Sequence, residues 1–285
     1  MAANIRLLRR RIKTAKNIAQ ITKAMEMVAI SKMRRAQERT LGSKPYANKL
    51  LEVVGNLIGR VEEGSHPYLS EGKKGKTLLV LFSSDKGLCG SLNTNLLREF
   101  AKYIDMHDNV EVIAIGRKLE KAVLRLGGVL AADFPFGTTL PPFEAIFPVR
   151  SLIVKGFMEG EYRKVLCLYM QFESLSQQRP VITTLLPIQK QTETSSTAEV
   201  PYKFEPDAGD LLTSLMPHFL EMSLYQIFLE SYASEQAARM LAMHQASENA
   251  KDVIWELSLY YNKVRQERIT NELLDITGGS MGVAV

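Results

Sequence analysis

The chain has 285 residues, of which 46% are hydrophobic and 24% charged, with a formal net charge of +5. That balance is ordinary for a globular protein and excludes collagen-like, disulfide-scaffold and wholly disordered classes. No run of about 18 apolar residues occurs, so no segment is expected to enter a bilayer, and the polar, basic first residues lack the apolar core of a secretory signal. Cys89 and Cys167 stand far apart without CxxC spacing, which predicts free thiols in a reducing cytoplasmic setting. His66, His107, His218 and His244 are scattered, so no metal site and no cofactor are expected.

Residues 4–41 and 208–276 read as long helical patterns. Basic residues bunch in the first: Arg6, Arg9, Arg10, Arg11, Lys13 and Lys16, then Lys32, Arg34, Arg35 and Arg39. They read either as a solvated helix face or as a surface for an acidic partner. Ile5, Leu8, Ile12 and Ala15 step by three and four. The stripe then resumes one residue early at Ile18, Ile21, Met25 and Val28, a phase skip that predicts local overwinding of a coiled coil. Pro45 disfavours helical geometry at Lys44, so a kink is expected there. The pattern recovers through Leu50, Val54, Leu57 and Ile58, and a loop follows from Gly64 to Gly75.

The middle alternates strands and helices. Leu78 to Phe82 is a continuous apolar run, as for a strand buried on both faces. Further strands are predicted at Val110–Ile115, Val129–Phe134, Val165–Phe172 and Val181–Ile188, and helices at Asn93–Ile104, Lys118–Leu126 and Glu144–Met158. This order favours a mostly parallel sheet with right-handed crossovers. Gln189 to Ala198 is polar and low in complexity, hence a surface loop.

The last helix opens at Pro206-Asp207, with Asp207 as N-cap, and Pro217 marks a bend. Leu220, Leu224 and Ile227 lead at heptad spacing into Ser231, Ser234, Ala238, Leu241, Gln245, Glu248, Asp252, Trp255 and Leu259, and Gly278-Gly279 is the expected stop. Met25, Met27 and Met33, with Met240 and Met243, are read as seam packing. The second helix alone would span about 100 Å. Such helices cannot each bury a face on one small domain, so they should pair with each other. The expected fold is therefore α/β plus all-α: a long antiparallel coiled coil of the two ends with an inserted, Rossmann-like α/β domain. Its divisions are 1–62, 76–190 and 207–285.

Chemical motifs are weak. Gly75-Lys76-Thr77 lacks the earlier glycine of a P-loop, since position 70 is Ser70, and the strand follows it. Gly87-Leu88-Cys89-Gly90 lies where such a domain cradles phosphate, yet GxGxxG is absent and Asp85 adds negative charge. A structural turn is the reading taken. Ser234-Glu235 and Glu267, Glu272 and Asp275 read as helix-face charges. No catalytic set is placed by spacing.

Four stretches, in this order, resemble the gamma subunit of F-type ATP synthases. They are Ile21-Thr22-Lys23-Ala24-Met25-Glu26-Met27-Val28-Ala29 with Ser31-Lys32-Met33, then Ser84 to Asn93, then Ala233 to Met240, and Tyr261 to Gln266 continuing through Ile269-Thr270-Asn271-Glu272. The resemblance implies a non-catalytic rotor shaft in a proton-translocating synthase. It would sit within three alpha and three beta subunits, touching an epsilon subunit and the membrane c-ring, as a peripheral protein on the cytoplasmic face of the cell membrane. It further implies a contact to a beta-subunit loop at Arg265, Gln266, Thr270 and Glu272, and coupling positions at Met25 and Arg239. A foot at Tyr202, Phe204, Glu205 and Asp207 would meet the c-ring and epsilon. Phe204 departs from the foot's frequent tyrosine, and the cysteine-bearing insert of chloroplast forms is missing. From the residues alone two other readings stay open: a coiled-coil scaffold or nucleic-acid-binding protein with a basic arm, and a small-molecule α/β enzyme.

Overall fold

A computed structural model of the chain describes residues 2–58, 61, 66–72, 75–188 and 207–281. The elements are α1 (Ala2–Ile58), β1 (Lys76–Phe82), α2 (Leu92–Met106), β2 (Val110–Ile115), α3 (Arg117–Arg125), β3 (Val129–Phe134), α4 (Phe147–Met158), β4 (Tyr162–Phe172), β5 (Gln178–Leu186) and α5 (Ala208–Met281). A short 3-10 turn at Pro67–Leu69 interrupts the loop expected after the first helix. The polar stretch Gln189–Ala198 lies outside the described residues. The chain divides into two compact units, Met1–Val28 with Met240–Val285, and Ala29–Arg239.

Burial along α1 falls on Ile5, Leu8, Ile12, Ala15, Ala19, Thr22, Glu26, Ala29, Met33, Ala36 and Thr40, an unbroken three-four rhythm. The expected phase skip is therefore absent. Ile18, Ile21 and Val28 are 48%, 59% and 54% exposed and belong to a second, outward stripe, with Met27 also outward. The sequence reading joined two stripes because the true seam turns to small and polar residues after Ala15, while the apolar ones move outside. Pro45 lies inside α1 and Pro217 inside α5, each helix continuing past its proline.

On α5 the heptad reading holds as far as Ala238, with Leu220, Leu224, Ile227, Ser231 and Ser234 buried. Beyond it the buried positions become Met243, Ser247 and Ala250, then half-buried Ile254, Leu257 and Tyr261. Gln245, Glu248, Asp252, Trp255 and Leu259 face outward. A straight helix drifts by about 20° per heptad against a strict seven-residue step, and this shift restores the seam. The helix also runs through Gly278-Gly279 to Met281. Glycine tolerates helical dihedrals and ends a helix only where it turns left-handed.

Within the first unit α1 and α5 run antiparallel. Arg9 Nη2 donates to Tyr261 Oη at 2.9 Å, and His244 Nδ1 lies 3.2 Å from Glu26 Oε1, so a rise along one helix is a fall along the other. Within the second unit the two helices also meet, with Gln226 Nε2 donating to Ser43 Oγ at 2.8 Å.

The second unit holds a five-stranded sheet in the order β3-β2-β1-β4-β5. The first four strands are parallel and β5 pairs antiparallel with β4. Alternation along β1 sorts its side chains between two cores. Leu79 and Leu81 face α2 and α3 through Leu96, Phe100, Leu119 and Val123. Leu78, Val80 and Phe82 join Leu57 of α1, Val149 and Ile153 of α4, and Leu224, Phe228 and Tyr232 of α5.

The seam assignment has a direct test. Ala36 is fully buried, so Ala36→Leu overpacks a filled site and should cost about 1–3 kcal/mol. Ile21→Ser removes apolar surface that already faces solvent and should change stability by under about 0.5 kcal/mol. Denaturant unfolding of the two variants compares them; a larger loss for Ile21→Ser would restore the skipped register.

Candidate functional site: the helix seam, its outer faces and the loop after the first strand

The turn from β1 into α2 is built by its own side chains. Asn93 Oδ1 accepts from Ser84 N at 3.2 Å, while Asn93 Nδ2 donates to Ser84 Oγ at 2.7 Å and to Cys89 Sγ at 3.4 Å. Leu88 and Gly90 take positive φ values of 64° and 58°, which glycine adopts freely and leucine only where the surroundings impose it. Asp85 reaches across the carboxyl ends of the strands. Its Oδ1 accepts from Arg117 N and Phe136 N, both at 3.2 Å, and its Oδ2 from Gly137 N at 2.8 Å. In a Rossmann-like sheet, amides in this region receive a phosphate. Here a carboxylate of the chain takes them, so the turn is structural, as the missing GxGxxG suggested. Asp85→Asn replaces a charged acceptor of three amides with a neutral one. It should lower stability by about 1–3 kcal/mol, read by thermal unfolding; an unchanged midpoint would show that these bonds stabilise nothing.

Arg239 closes this turn from the helix side. Its Nη1 lies 2.7 Å from Glu235 Oε1 on the preceding turn of α5. Its Nη2 donates to the carbonyls of Lys86 and Gly87 at 3.3 and 3.4 Å. Glu235 is 5% exposed and Ser234 is fully buried, so neither is the solvated helix-face group the sequence suggested. Burial lifts the Glu235 carboxyl above its usual range, against the pull of the Arg239 guanidinium. Burial, with the nearby Glu235 charge, also pushes the Tyr232 hydroxyl up to about 12. Sequence spacing did offer one signal for the pair, since an acid four residues before an arginine shares its helix face.

In the first unit the seam carries a charge. Glu26 is 6% exposed, held by Lys23 Nζ at 3.0 Å and His244 Nδ1 at 3.2 Å. Burial raises its pKa, but the Lys23 and His244 hydrogen bonds outweigh it and hold the carboxyl below its ordinary range. Met25, beside it, is half-buried and lies on the outward stripe with Ile18, Ile21 and Val28. Because Glu26 titrates lower when folded, its stabilising contribution is complete above the ordinary carboxylate pKa and is lost as pH falls through the depressed folded value. An acid titration followed by circular dichroism should therefore show a shallower loss for Glu26→Gln than for the parent chain. Superimposable acid limbs would remove Glu26 from the account.

Nearer the end of α5, Arg265, Gln266, Thr270 and Glu272 are all exposed. Thr270 Oγ1 donates to the Gln266 carbonyl at 3.0 Å, and Glu272 Oε1 accepts from Arg268 Nε at 2.6 Å. The helix brings these four together as a polar surface, and Met25 shares their unit. Arg239 belongs to the other unit. Asp207 caps α5: its Oδ2 accepts from Gly209 N at 3.0 Å and its carbonyl from Leu211 N at 3.0 Å. Tyr202, Phe204 and Glu205 lie outside the described residues. Among the described residues no group of three His, Cys, Asp or Glu side chains could hold a metal ion, and no helix is long and apolar enough to cross a membrane.

A family model described as ATP synthase matches residues 4–283. The ATP synthase gamma chain of Dehalococcoides mccartyi strain CBDB1 is 41% identical over 285 residues, covering 99% of this chain and 100% of its own. The chain belongs to the ATP synthase gamma-chain family. The gamma chain of Roseiflexus castenholzii is 42% identical over 286 residues, with 98% of each chain covered. Among solved structures, a chain of the Euglena gracilis mitochondrial ATP synthase (OSCP/F1/c-ring, rotational state 3) shares the fold. It has a TM-score of 0.69 at 19% identity, covering 99% of this chain and 95% of its own. A chain from the central stalk and c-ring of the Tetrahymena thermophila mitochondrial enzyme gives a TM-score of 0.60 at 27% identity, over 80% of this chain and 99% of its own. Gamma-family membership gives no support to the coiled-coil scaffold or nucleic-acid-binding reading of the basic arm. Asp85 and Glu235, by contrast, were missed as organising residues. Both lie in motifs the resemblance quoted; Asp85 had no sequence signal for its partners, and Glu235 had only its four-residue spacing to Arg239, which does not reveal its burial.

Proposed function

We propose that the chain is the central rotor shaft of a proton-translocating ATP synthase, coupling rotation of a membrane c-ring to the nucleotide sites of the beta subunits. The single observation that carries this reading, beside family membership, is the outward apolar stripe Ile18, Ile21, Met25 and Val28 on a helix whose seam is already filled by small residues. A stripe of that kind at solvent marks a surface that something else covers. A sleeve of three alpha and three beta subunits suits it. Ala15 and Ala19 in the first unit, and Ala29 and Ala36 in the second, let the paired helices approach closely.

In this reading the chain is not itself a catalyst. Each orientation of its asymmetric surface favours a different conformation of the surrounding beta subunits, shifting their populations among binding states. Arg265, Gln266, Thr270 and Glu272 grip a beta-subunit loop, Met25 faces the sleeve, and Arg239 sets the joint between α5 and the β1 turn. Tyr202, Phe204, Glu205 and Asp207 form the foot on the c-ring and epsilon. The protein then sits peripherally at the cytoplasmic face of the membrane, without inserting. Co-expression with alpha and beta subunits tests the reading. One copy of this chain should purify with three of each, and the assembly should hydrolyse ATP while the chain alone does not. Turnover by the isolated chain, or failure to co-purify, would overturn it.

A further inference from the structure

Beside Glu235 the second unit contains a cavity of about 10 Å³, lined on its polar side by Ser83, Ser84, Ser231 and Glu235 and on its apolar side by residues including Leu92 and Phe136. Among the described residues, only four buried side-chain polar atoms find no hydrogen-bond partner in the protein. Two of them, Ser231 Oγ and Glu235 Oε2, belong to residues that line this cavity. Both residues are more than nine-tenths buried. A polar cavity of roughly 10–15 Å³, measured as space open to the centre of a water molecule, holds one water if two to four polar partners surround it. We propose that this cavity is a binding site for a single ordered water that bridges Ser231 and Glu235 and seals the joint between α5 and the β1 turn.

The hydrogen-bond accounting closes. Ser83 Oγ donates to the carbonyls of Ile115 and Gly116 at 3.3 and 3.0 Å, which leaves its lone pairs free. Ser84 Oγ donates to the Lys86 carbonyl at 2.8 Å, accepts from Asn93 Nδ2 at 2.7 Å and lies 3.7 Å from Cys89 Sγ, so Ser83 Oγ is the freer acceptor of the two. The Ser231 hydroxyl can donate to the water, and the water's two hydrogens go to Glu235 Oε2 and to a serine oxygen of the Ser83-Ser84 pair. Glu235 Oε1 is already engaged by Arg239. The water therefore gives the second carboxylate oxygen its partner and keeps the acid oriented toward the guanidinium that holds the Lys86 and Gly87 carbonyls. A buried carboxylate stays ionised beside one arginine more readily when both oxygens accept hydrogen bonds. The groups facing Glu235 are Arg239 on its own helix, Asp85 in the β1 turn and Lys32 on α1.

The test is structure determination of the full chain in its assembly, at a resolution that shows ordered waters, for the parent, Ser231→Ala and Ser231→Val. The parent should show one solvent peak within hydrogen-bond reach of both Ser231 Oγ and the Glu235 carboxylate. In Ser231→Ala the peak should lose occupancy while the Glu235–Arg239 pair remains. In Ser231→Val the added methyls should expel it. Should the valine variant not fold, the alanine variant decides. A dry cavity in the parent with both side chains well ordered would overturn the proposal. So would a Ser231 hydroxyl turned onto a carbonyl of its own helix, or bonded directly to the Glu235 carboxyl, and so would a peak unchanged in Ser231→Ala.

Discussion

Arg239→Ala is expected to lower the stability of the chain by about 3–5 kcal/mol, the usual result of removing one partner from a buried ion pair. The Arg239 side chain is 13% exposed and that of Glu235 6%, so solvent cannot replace the lost guanidinium. The same change removes the donors to the Lys86 and Gly87 carbonyls. It should therefore loosen the β1 turn as well as the helix. The companion double variant, Arg239→Ala with Glu235→Leu, should recover much of the loss, because a buried pair replaced by apolar groups of similar volume is often neutral. Denaturant unfolding of both variants reads the difference. A loss under about 1 kcal/mol in the single variant, or no recovery in the double, would show that the pair is solvated and does not anchor the turn.

Much of this architecture was readable from residue patterns. The run Leu78 to Phe82 announced a strand buried on both faces, and it lies at the centre of the sheet, between β2 and β4. The two long helices and their antiparallel pairing followed from length and from the want of any other surface to bury them. The seam was less legible. Periodicity finds apolar stripes, but it cannot say which stripe faces a helix of the same chain and which faces something outside it. Ile18, Ile21 and Val28 looked like core and face outward, whereas Ala19, Thr22 and Glu26 looked like surface and fill the seam. Ser231 and Ser234 fell on the expected heptad and are buried, whereas Glu235 hid for the opposite reason. Polar side chains carry no periodic apolar signal, and their burial is decided by the sheet and turn that come to lie against them.

The beta-loop contact proposed for the end of α5 leads to the second large effect. Arg265 and Gln266 are adjacent, so their side chains point about 100° apart, with Thr270 about one turn beyond and Glu272 about two. Both are exposed and neither contributes to the seam, which in this stretch runs through Tyr261 and Val264. Truncating both to alanine should leave the helix pair folded, with stability changed by under about 0.5 kcal/mol. Function is another matter. A surface of guanidinium, amide, hydroxyl and carboxylate offers charge-assisted hydrogen bonds worth roughly 1.5–3 kcal/mol each and little apolar area. It can hold a partner loop in one rotor position and release it in the next without tearing apart a packed core. Losing one such bond at the step that limits rotation corresponds to about a tenfold slowing. The assembled head carrying Arg265→Ala and Gln266→Ala should therefore hydrolyse ATP about ten times more slowly or worse, and ATP-driven proton pumping should fall with it. Circular dichroism separates this from misfolding, since the helical signal should not move. An assembly of normal composition that turns over ATP at the parental rate would remove the catch from this surface and leave the contact with the beta subunits to the apolar stripe on α1.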